Sequence, residues 1–213
     1  NSTMGGRKAA HLASLCTQSG HGFVRFDYRG HGQSSGELHD GDLSQWLADA
    51  RAVIALAPSV NLVLVGASIG GWLMLLLARE LGARVQGLVG IGAGVDITDA
   101  MLARLSVEQT RALRRDGITW RSSRYGDGPY PLTQRMLDES RRHHILGTGL
   151  TLACPLHLFH GLEDPDLPWR SGLDILHGLC GEDIRLTLLN TGDHRLSRPS
   201  DLDAIGGAVT ALL

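Results

Sequence analysis

Apolar residues along this chain fall into short continuous runs, which are separated by longer segments with a helical spacing. Continuous runs, unlike strict alternation of apolar and polar residues, are typical of strands that are covered on both faces. Each run is rich in Val, Ile, Leu or Phe, and the runs are spread over nearly the whole sequence. The pattern predicts strands at positions 23–28, 62–67, 85–92, 155–161 and 184–189.

The segments between these runs have the periodicity of helices. In residues 40–57 the apolar positions recur every three or four residues, which predicts one buried face. Residues 70–82 are apolar nearly all round, which favours a helix in the interior. We expect Ser200 to cap a helix at the C-terminal end. Alternating strands and helices predict an α/β fold with a mostly parallel sheet and helices on both faces.

The spacing of the predicted strands also indicates an insertion. The strands that begin at 85 and 155 are separated by roughly twice the length that a crossover needs. The surplus, about residues 96–150, predicts a small cap within a single domain that spans residues 1–213. Within it we expect a helix at 102–115, a turn at 126–128 and a second helix near 133–144.

Composition excludes several classes of protein. The chain has 213 residues, of which 43% are hydrophobic and 20% charged, values that are ordinary for a folded domain and exclude a disordered chain. A net charge of −2 gives no general attraction to nucleic acid or to anionic lipid. The basic residues between 111 and 142 alternate with acidic ones, which favours a solvated surface over a polyanion site. The longest apolar run, 72–78, is too short to span a bilayer.

Cysteine and histidine usage gives no sign of a metal centre. Cys16, Cys154 and Cys180 are widely spaced and form no CxxC pair, so we expect reduced thiols without structural disulfides or zinc. His143 and His144 are adjacent, and on a helix their side chains would point about 100° apart. Reduced thiols, together with the lack of a visible signal or transit peptide, predict a cytoplasmic location.

A motif for nucleophilic catalysis, GxSxG, occurs twice, around Ser34 and around Ser68. In hydrolases with a nucleophilic serine, this motif forms a tight turn from a strand into a helix, where a Cβ at the glycine positions would clash. Ser68 directly follows the run 62–67 and begins the apolar segment 70–82, as this turn requires. Ser34 lies in a glycine-rich loop away from any predicted helix. We therefore predict Ser68 as the nucleophile and Ser34 as a loop residue.

A nucleophilic serine needs a basic partner, and in this fold the base follows the last strands of the sheet. His194 lies just after the run 184–189, where a loop at the edge of the sheet is expected. His157 and His160 lie within or at the end of a strand, and His177 lies on a predicted helix, so we interpret these three as core or surface residues. The predicted base is His194.

The base in turn needs a carboxylate that orients it. The loop after residues 155–161 offers Glu163, Asp164 and Asp166, and we choose Asp164 over the other two. Asp193 is adjacent to the base in sequence and is more typical of a turn former. Asp96, beyond an earlier strand, stays an alternative.

With these residues in place, the chain resembles the α/β-hydrolase superfamily over nearly its whole length. The motifs that carry the likeness are FDYRGHGQSSG, GASIGGW, HGLEDPDLPW and GDHRLSRP. More narrowly, SIGGWLMLLLA, the tryptophan after LP in the acid loop, and the opening pattern S-x-M-x-G-x-K resemble one branch. That branch holds a mitochondrial palmitoyl-protein thioesterase, also described as an acyl-glucuronide esterase, and bacterial relatives. In the opening pattern the matching residues are Ser2, Met4, Gly6 and Lys8.

The resemblance also implies what should precede the chain. The first strand predicted here corresponds to strand 4 of the family sheet, so strands 1 to 3 are expected to be missing and the chain to be a fragment of a longer protein. An oxyanion hole needs two backbone N–H donors. The resemblance assigns one to Ile69 and places the other at or just before Asn1. A lost N-terminus could have carried a transit peptide, which would make the location mitochondrial.

The function that follows is hydrolysis of carboxylic esters or thioesters through an acyl-enzyme, on a small-molecule or acylated substrate, without metal or organic cofactor. A C–C bond hydrolase or a short-chain carboxylesterase would use the same residues. A non-catalytic binding module with this fold is a third interpretation. The cap's apolar side chains either roof an acyl pocket or form the cap's own core; they are Trp120, Tyr125, Tyr130, Leu132 and Met136.

Overall fold

Helices and strands alternate along most of the chain in the computed structural model, which describes residues 3–57, 60–123 and 128–213. The α-helices are α1 (Arg7–Gln18), α2 (Leu43–Ile54), α3 (Ile69–Leu81), α4 (Thr98–Ala103), α5 (Val107–Asp116), α6 (Gln134–Arg141), α7 (Arg170–Gly178) and α8 (Pro199–Thr210). The strands are β1 (Leu62–Ala67), β2 (Val85–Ile91), β3 (Ile118–Arg121), β4 (Tyr130–Thr133), β5 (Leu156–Gly161) and β6 (Ile184–Leu189).

The main sheet has the order β1-β2-β5-β6, and all neighbouring strands in it are parallel. Its register pairs Ala67 with Ile91, Ile91 with Phe159, and Gly161 with Leu189. The carboxyl ends of these strands therefore lie along one edge of the sheet, where catalytic loops are expected in open α/β folds. This arrangement confirms the predicted α/β class, and the four strands match the predicted runs to within one residue.

One predicted strand is wrong. Residues 21–28 have no regular secondary structure, and Val24 is 68% exposed. Apolar residues favour an extended backbone, but a strand exists only where a neighbouring chain segment shares its ladder of hydrogen bonds. The sequence pattern of residues 23–28 indicates an extended backbone, but it does not indicate whether a neighbouring segment pairs with it. Phe26 and Tyr28 instead pack edge to face, with their ring centroids 4.7 Å apart.

The chain divides into two compact units. The first comprises Asn1–Met4, Arg25–Leu56 and Asp96–His144, and the second comprises Gly5–Val24, Ala57–Val95 and Ile145–Leu213. Most of the segment predicted as a cap, residues 96–150, thus belongs to the first unit, together with residues 25–56 that the sequence analysis did not assign to it.

The first unit contains an antiparallel hairpin, β3–β4, and a small core of Leu113, Leu132 and Leu137. The helix predicted at 102–115 is two helices, because Ser106 begins α5 with a capping box that involves Gln109. The predicted turn at 126–128 includes Gly126 and Asp127, which lie outside the described residues, as does Tyr125.

The second unit holds the parallel sheet and a core built around α3. Every residue from Gly71 to Ala78 in α3 is buried, as its all-round apolar character predicted. A core cluster joins α1, the sheet and α8 through residues that include Leu12, Ile91 and Ile205. The cap predicted at Ser200 is misplaced: α8 begins at Pro199, because proline is favoured in the first helical turn.

In the described parts of the chain, no helix has both the length and the apolar character needed to cross a membrane.

Candidate active site

Ser68 occupies the sharp turn between β1 and α3, and its backbone is strained. Its φ is 53° and its ψ is −125°, a region that residues with a side chain rarely adopt. The turn is held by its own backbone hydrogen bonds. The Ser68 N–H donates to Ile91 O at 3.0 Å, and the Ser68 carbonyl accepts from the N–H groups of Gly71 at 2.9 Å and Gly94 at 3.0 Å. The serine is therefore held against the carboxyl end of β2.

Two glycines allow this turn, and one of them lies outside the motif. A Cβ at Gly66 would stand 2.3 Å from the carbonyl oxygen of Gly70, and one at Gly71 would stand 2.4 Å from the Cβ of Ala93. A Cβ at Gly70 would meet nothing within 4 Å. The predicted Cβ clash at the glycines of GxSxG therefore occurs at Gly66 but not at Gly70. The second position that has no room for a Cβ is Gly71, one residue beyond the motif.

The loop after β6 brings His194 to the serine. His194 Nε2 lies 3.1 Å from Ser68 Oγ, and His194 Nδ1 lies 2.7 Å from Asp164 Oδ2. Gly92, directly after β2, faces this loop: a Cβ there would lie 3.3 Å from His194 O, slightly closer than ordinary van der Waals contact. The three predicted residues are therefore connected by a chain of hydrogen bonds in the order serine, imidazole, carboxylate.

The side chain of Asp164 is fully buried in the loop after β5, and its second carboxylate oxygen also accepts hydrogen bonds. Oδ1 accepts the backbone N–H groups of Asp166 and Leu167, both at 2.8 Å. Burial acts to raise the pKa of Asp164, but the hydrogen bond and charge of His194 and these two N–H donors outweigh it. The pKa of the carboxyl lies below its ordinary value, so this side chain is ionised at neutral pH.

The neighbouring acidic residues make other contacts in this part of the structure. The backbone N–H of Asp166 donates to Asp164 Oδ1. Glu163, which directly precedes Asp164, donates its backbone N–H to Gly192 O at 3.0 Å. Asp193 accepts the N–H groups of Arg195 and Leu196 through Oδ1, both at 3.0 Å. Asp193 is thus a turn former, as its place beside a glycine predicted.

His160 is a neighbour of Asp164 that the sequence analysis treated as a core or surface residue. Its Nε2–H donates to Leu167 O at 3.0 Å and lies 3.6 Å from Asp164 Oδ2, and the residue is 1% exposed. Burial lowers the pKa of His160, against the opposing effects of Leu167 O and the Asp164 carboxylate. A histidine four residues before the acid, at the end of a strand, is the sequence signal that could have indicated this contact.

The remaining candidates have other surroundings. His157 stacks on Phe159 with 4.3 Å between ring centroids, and His177 is exposed on α7. Ser34 donates from its hydroxyl to Asp27 O at 2.6 Å within a loop. In the first unit, His143 Nε2 contacts the hydroxyl of Ser44 at 2.7 Å.

Ser44 is not placed as a nucleophile would be. It lies in the first turn of α2, and Glu139 accepts from its hydroxyl at 3.0 Å, so the carboxylate contacts the serine itself. An activated serine instead needs the carboxylate on the far side of the imidazole. Among the described residues, no group of three or more His, Cys, Asp and Glu side chains is arranged to hold a metal ion.

Ile69 follows the serine and is the first residue of α3. The first N–H groups of a helix have no acceptor within the helix, so the Ile69 N–H is not used by the hydrogen bonds of α3. The second donor that the resemblance implied, at or just before Asn1, lies outside the described residues. The oxyanion role of Ile69 stays a prediction.

Comparison with known proteins gives a family and close structural relatives. The family model described as "Serine aminopeptidase, S33" matches residues 6–122. The rat protein named palmitoyl-protein thioesterase ABHD10, mitochondrial, is 31% identical over 202 residues, which cover 94% of this chain and 68% of that protein.

Two solved structures are similar over 99% of the chain. A putative hydrolase from Agrobacterium vitis S4 is 36% identical with a TM-score of 0.94, and the match covers 84% of its chain. Mouse alpha/beta hydrolase domain-containing protein 10 is 30% identical with a TM-score of 0.89, and the match covers 85% of its chain. These likenesses confirm the predicted fold class and the predicted resemblance.

Proposed function

The chain belongs to the serine aminopeptidase S33 family and has the α/β-hydrolase fold, and from this premise we propose that it is a serine hydrolase that cleaves carboxylic esters or thioesters through Ser68, His194 and Asp164. One observation carries the proposal. A serine held in strained backbone at a strand-to-helix turn is joined through His194 to a buried carboxylate, with contacts of 3.1 Å and 2.7 Å. This geometry is that of an activated nucleophile.

In the first half of the reaction, Ser68 Oγ attacks the substrate carbonyl while its proton passes to His194 Nε2. Asp164 Oδ2 accepts the Nδ1–H of the imidazole, which fixes the tautomer and stabilises the positive charge that develops on the ring. The Ile69 N–H donates to the oxygen that becomes negative. When the tetrahedral intermediate collapses, the alcohol or thiol leaves with the proton from His194, and the acyl group stays on Ser68.

In the second half, water replaces the leaving group. His194 Nε2 takes a proton from the water, whose oxygen attacks the acyl carbonyl, and returns the proton to Ser68 Oγ as the carboxylic acid is released. Asp164 stays ionised throughout, since its pKa lies below the ordinary value. Each bond made to the serine is thus broken again within one turnover.

The relatives favour thioesters and esters over peptide bonds as the substrate class. The family description names an aminopeptidase, whereas relatives that match nearly the whole chain are named palmitoyl-protein thioesterases. We therefore propose an acylated thiol or alcohol as substrate. Cysteine usage supports the proposal of a cytoplasmic location, whereas the names of the relatives favour a mitochondrial one. Fractionation of cells that produce the protein, followed by its detection in each fraction, decides between the two.

Labelling with a fluorophosphonate probe, followed by peptide mapping, tests the mechanism. The label should appear on Ser68, disappear in Ser68→Ala and weaken in His194→Ala. Ser34→Ala is the matched control, because Ser34 lies in the second GxSxG motif of the chain and should leave labelling unchanged. Folded protein that takes up no label would contradict the hydrolase mechanism and favour a non-catalytic binding module.

A series of acyl substrates then tests the reaction. Acyl thioesters and esters of increasing chain length should be hydrolysed, and matched peptide amides should be hydrolysed much more slowly. A rate that falls steeply with chain length would indicate a short-chain carboxylesterase instead. Labelling without hydrolysis of any ester, but with cleavage of a C–C bond next to a carbonyl, would indicate a C–C bond hydrolase that uses the same residues.

A further inference from the structure

Lys8 contacts the loop that carries His194, although it lies far from it in the sequence. Lys8 is in the first turn of α1, and its ammonium group donates to the backbone carbonyl oxygen of Arg195, the residue directly after His194. The opening pattern S-x-M-x-G-x-K includes this lysine, and the mechanism described above gives it no part.

The helix that carries Lys8 is fixed in the same unit as the loop. Leu12 of α1 is 4% exposed and belongs to the core cluster that includes Ile205 of α8. Leu196, two residues after the histidine, is fully buried in that cluster. The helix with Lys8 and the loop with Arg195 are therefore both anchored to one core. The contact between Lys8 and Arg195 thus joins two segments whose positions are fixed.

The placement of Lys8 is not explained by the helix itself. A cation in the first turn is unfavourable, because the N-terminal end of a helix carries a partial positive charge. The first turn of α1 has no acidic residue, and its N-cap, Gly6, provides no side-chain cap. Burial and, after it, the charge of Arg195 lower the pKa of Lys8, with Asp193 opposing them. The hydrogen bond to Arg195 O, together with the charge of Asp193, thus favours the ammonium in this position.

Both peptide groups of Arg195 are held. Its N–H donates to Asp193 Oδ1 at 3.0 Å, and its carbonyl accepts from Lys8 and from the Ser197 hydroxyl, the latter at 3.0 Å. The next residue, Leu196, has a φ of 42°, which is strained for a side chain of this size. A strained backbone conformation persists only where surrounding contacts hold it in place. Here the hydrogen bonds to Arg195 hold the strained turn directly after His194.

We propose that Lys8 is a positioning residue that holds the His194 loop, through the carbonyl of Arg195, in the geometry in which the imidazole reaches Ser68. The inference rests on the proposed function, because it assigns Lys8 to the same reaction. Lys8 touches neither the serine nor the imidazole, so it acts through the backbone. Its loss should therefore affect the chemical step and leave binding of the acyl group largely intact.

The test compares three variants of the whole chain. Lys8→Met removes the donor and keeps the aliphatic length, and Lys8→Arg restores a cationic donor. Arg7→Met is the matched control, because it removes the same charge from the neighbouring, exposed position of the same helical turn. Each is measured for the rate of fluorophosphonate labelling of Ser68, for kcat and KM on an acyl thioester, and for the temperature of unfolding.

Lys8→Met should lower the labelling rate and kcat by roughly 10- to 100-fold with KM nearly unchanged, which is the scale of a small misplacement of a catalytic group. Lys8→Arg should recover most of this loss, and Arg7→Met should behave like the wild type. Equal labelling rates in Lys8→Met and Arg7→Met overturn the inference. It is also overturned if Lys8→Met unfolds at a lower temperature and its labelling rate returns to the wild-type value when the assay is run well below that temperature. An unlabelled wild type overturns instead the proposed function on which the inference rests.

Discussion

Replacing Gly66 by alanine tests whether the turn around Ser68 depends on this glycine. The new Cβ would stand 2.3 Å from the backbone oxygen of Gly70, whereas ordinary van der Waals contact begins at 3.4 Å. The atom it meets belongs to the backbone of α3, whose following residues are buried on all sides. A flexible side chain could move away, but this carbonyl cannot do so without shifting the turn.

The cost can be estimated from the size of the overlap. A displacement of about 1 Å is needed, and the insertion of a methyl group into a packed site costs about 1–3 kcal/mol. For a protein of this size, that lowers the unfolding temperature by about 2–12 °C. Because the displaced atoms flank Ser68, labelling of the serine should also slow by about 10²-fold.

Gly70→Ala is the control, because Gly70 belongs to the same motif but has nothing within 4 Å of the added Cβ. Alanine is favoured over glycine inside a helix by about 0.8–1 kcal/mol, so this variant should be as stable as the wild type or slightly more so. Unfolding by urea and the rate of fluorophosphonate labelling measure both effects. If Gly66→Ala unfolds and labels like the wild type, or if Gly70→Ala is equally damaged, the steric account of the turn is wrong.

Three further outcomes are expected. Asp164→Asn should lower kcat by about 10⁴-fold with little change in KM, because the amide no longer orients His194; a loss below tenfold in steady-state assays would remove Asp164 from the mechanism. Burial lowers the pKa of His160 below 6.5, so on acidification this histidine is protonated in the unfolded chain before it is protonated in the folded protein. The stability of the fold should therefore fall as the pH falls below about 6.5. His160→Gln should lessen that fall in urea unfolding between pH 7 and 5, and identical slopes would contradict it. Asp42→Ala should cost about 0.5–2 kcal/mol, because Asp42 Oδ1 caps α2 by accepting from Gln45 N at 2.9 Å, whereas Asp42→Asn should keep most of that stability in the same assay.

The fold could be predicted where the sequence pattern is local. Continuous apolar runs gave β1 and β6 with their observed bounds, because such runs are typical of paired strands. Residues 23–28 have a similar pattern and form no strand, since pairing depends on a neighbour that the run does not specify. The hairpin β3–β4 was not predicted: its strands have four residues each, and one of them contains Pro131. Strands this short leave too few positions for a period to be detected.

The candidate site was predicted from order and spacing. Ser68, Asp164 and His194 follow the strand ends at which this fold places them, and the structure brings the three side chains together. His160 lies four residues before Asp164, and that spacing could have indicated their contact. Lys8 was not given a role, because its contact is with a backbone carbonyl of a distant segment. A contact to a carbonyl oxygen leaves no trace in the identity of the partner residue, so sequence reasoning from residue types cannot find it.

The separation of the site residues along the chain has a consequence for when Ser68 would be activated in the proposed mechanism. Ser68 and His194 are 126 positions apart, and the loop with His194 follows β6, which lies at one edge of the sheet. Contacts between distant positions form late in folding, because the entropy of closing a long loop has to be overcome first. The serine turn can therefore take shape early around β1 and α3 without being activated. In the proposed mechanism, Ser68 becomes reactive only when β6 docks and brings His194 to it, so an incompletely folded or nascent chain would carry an inactive serine.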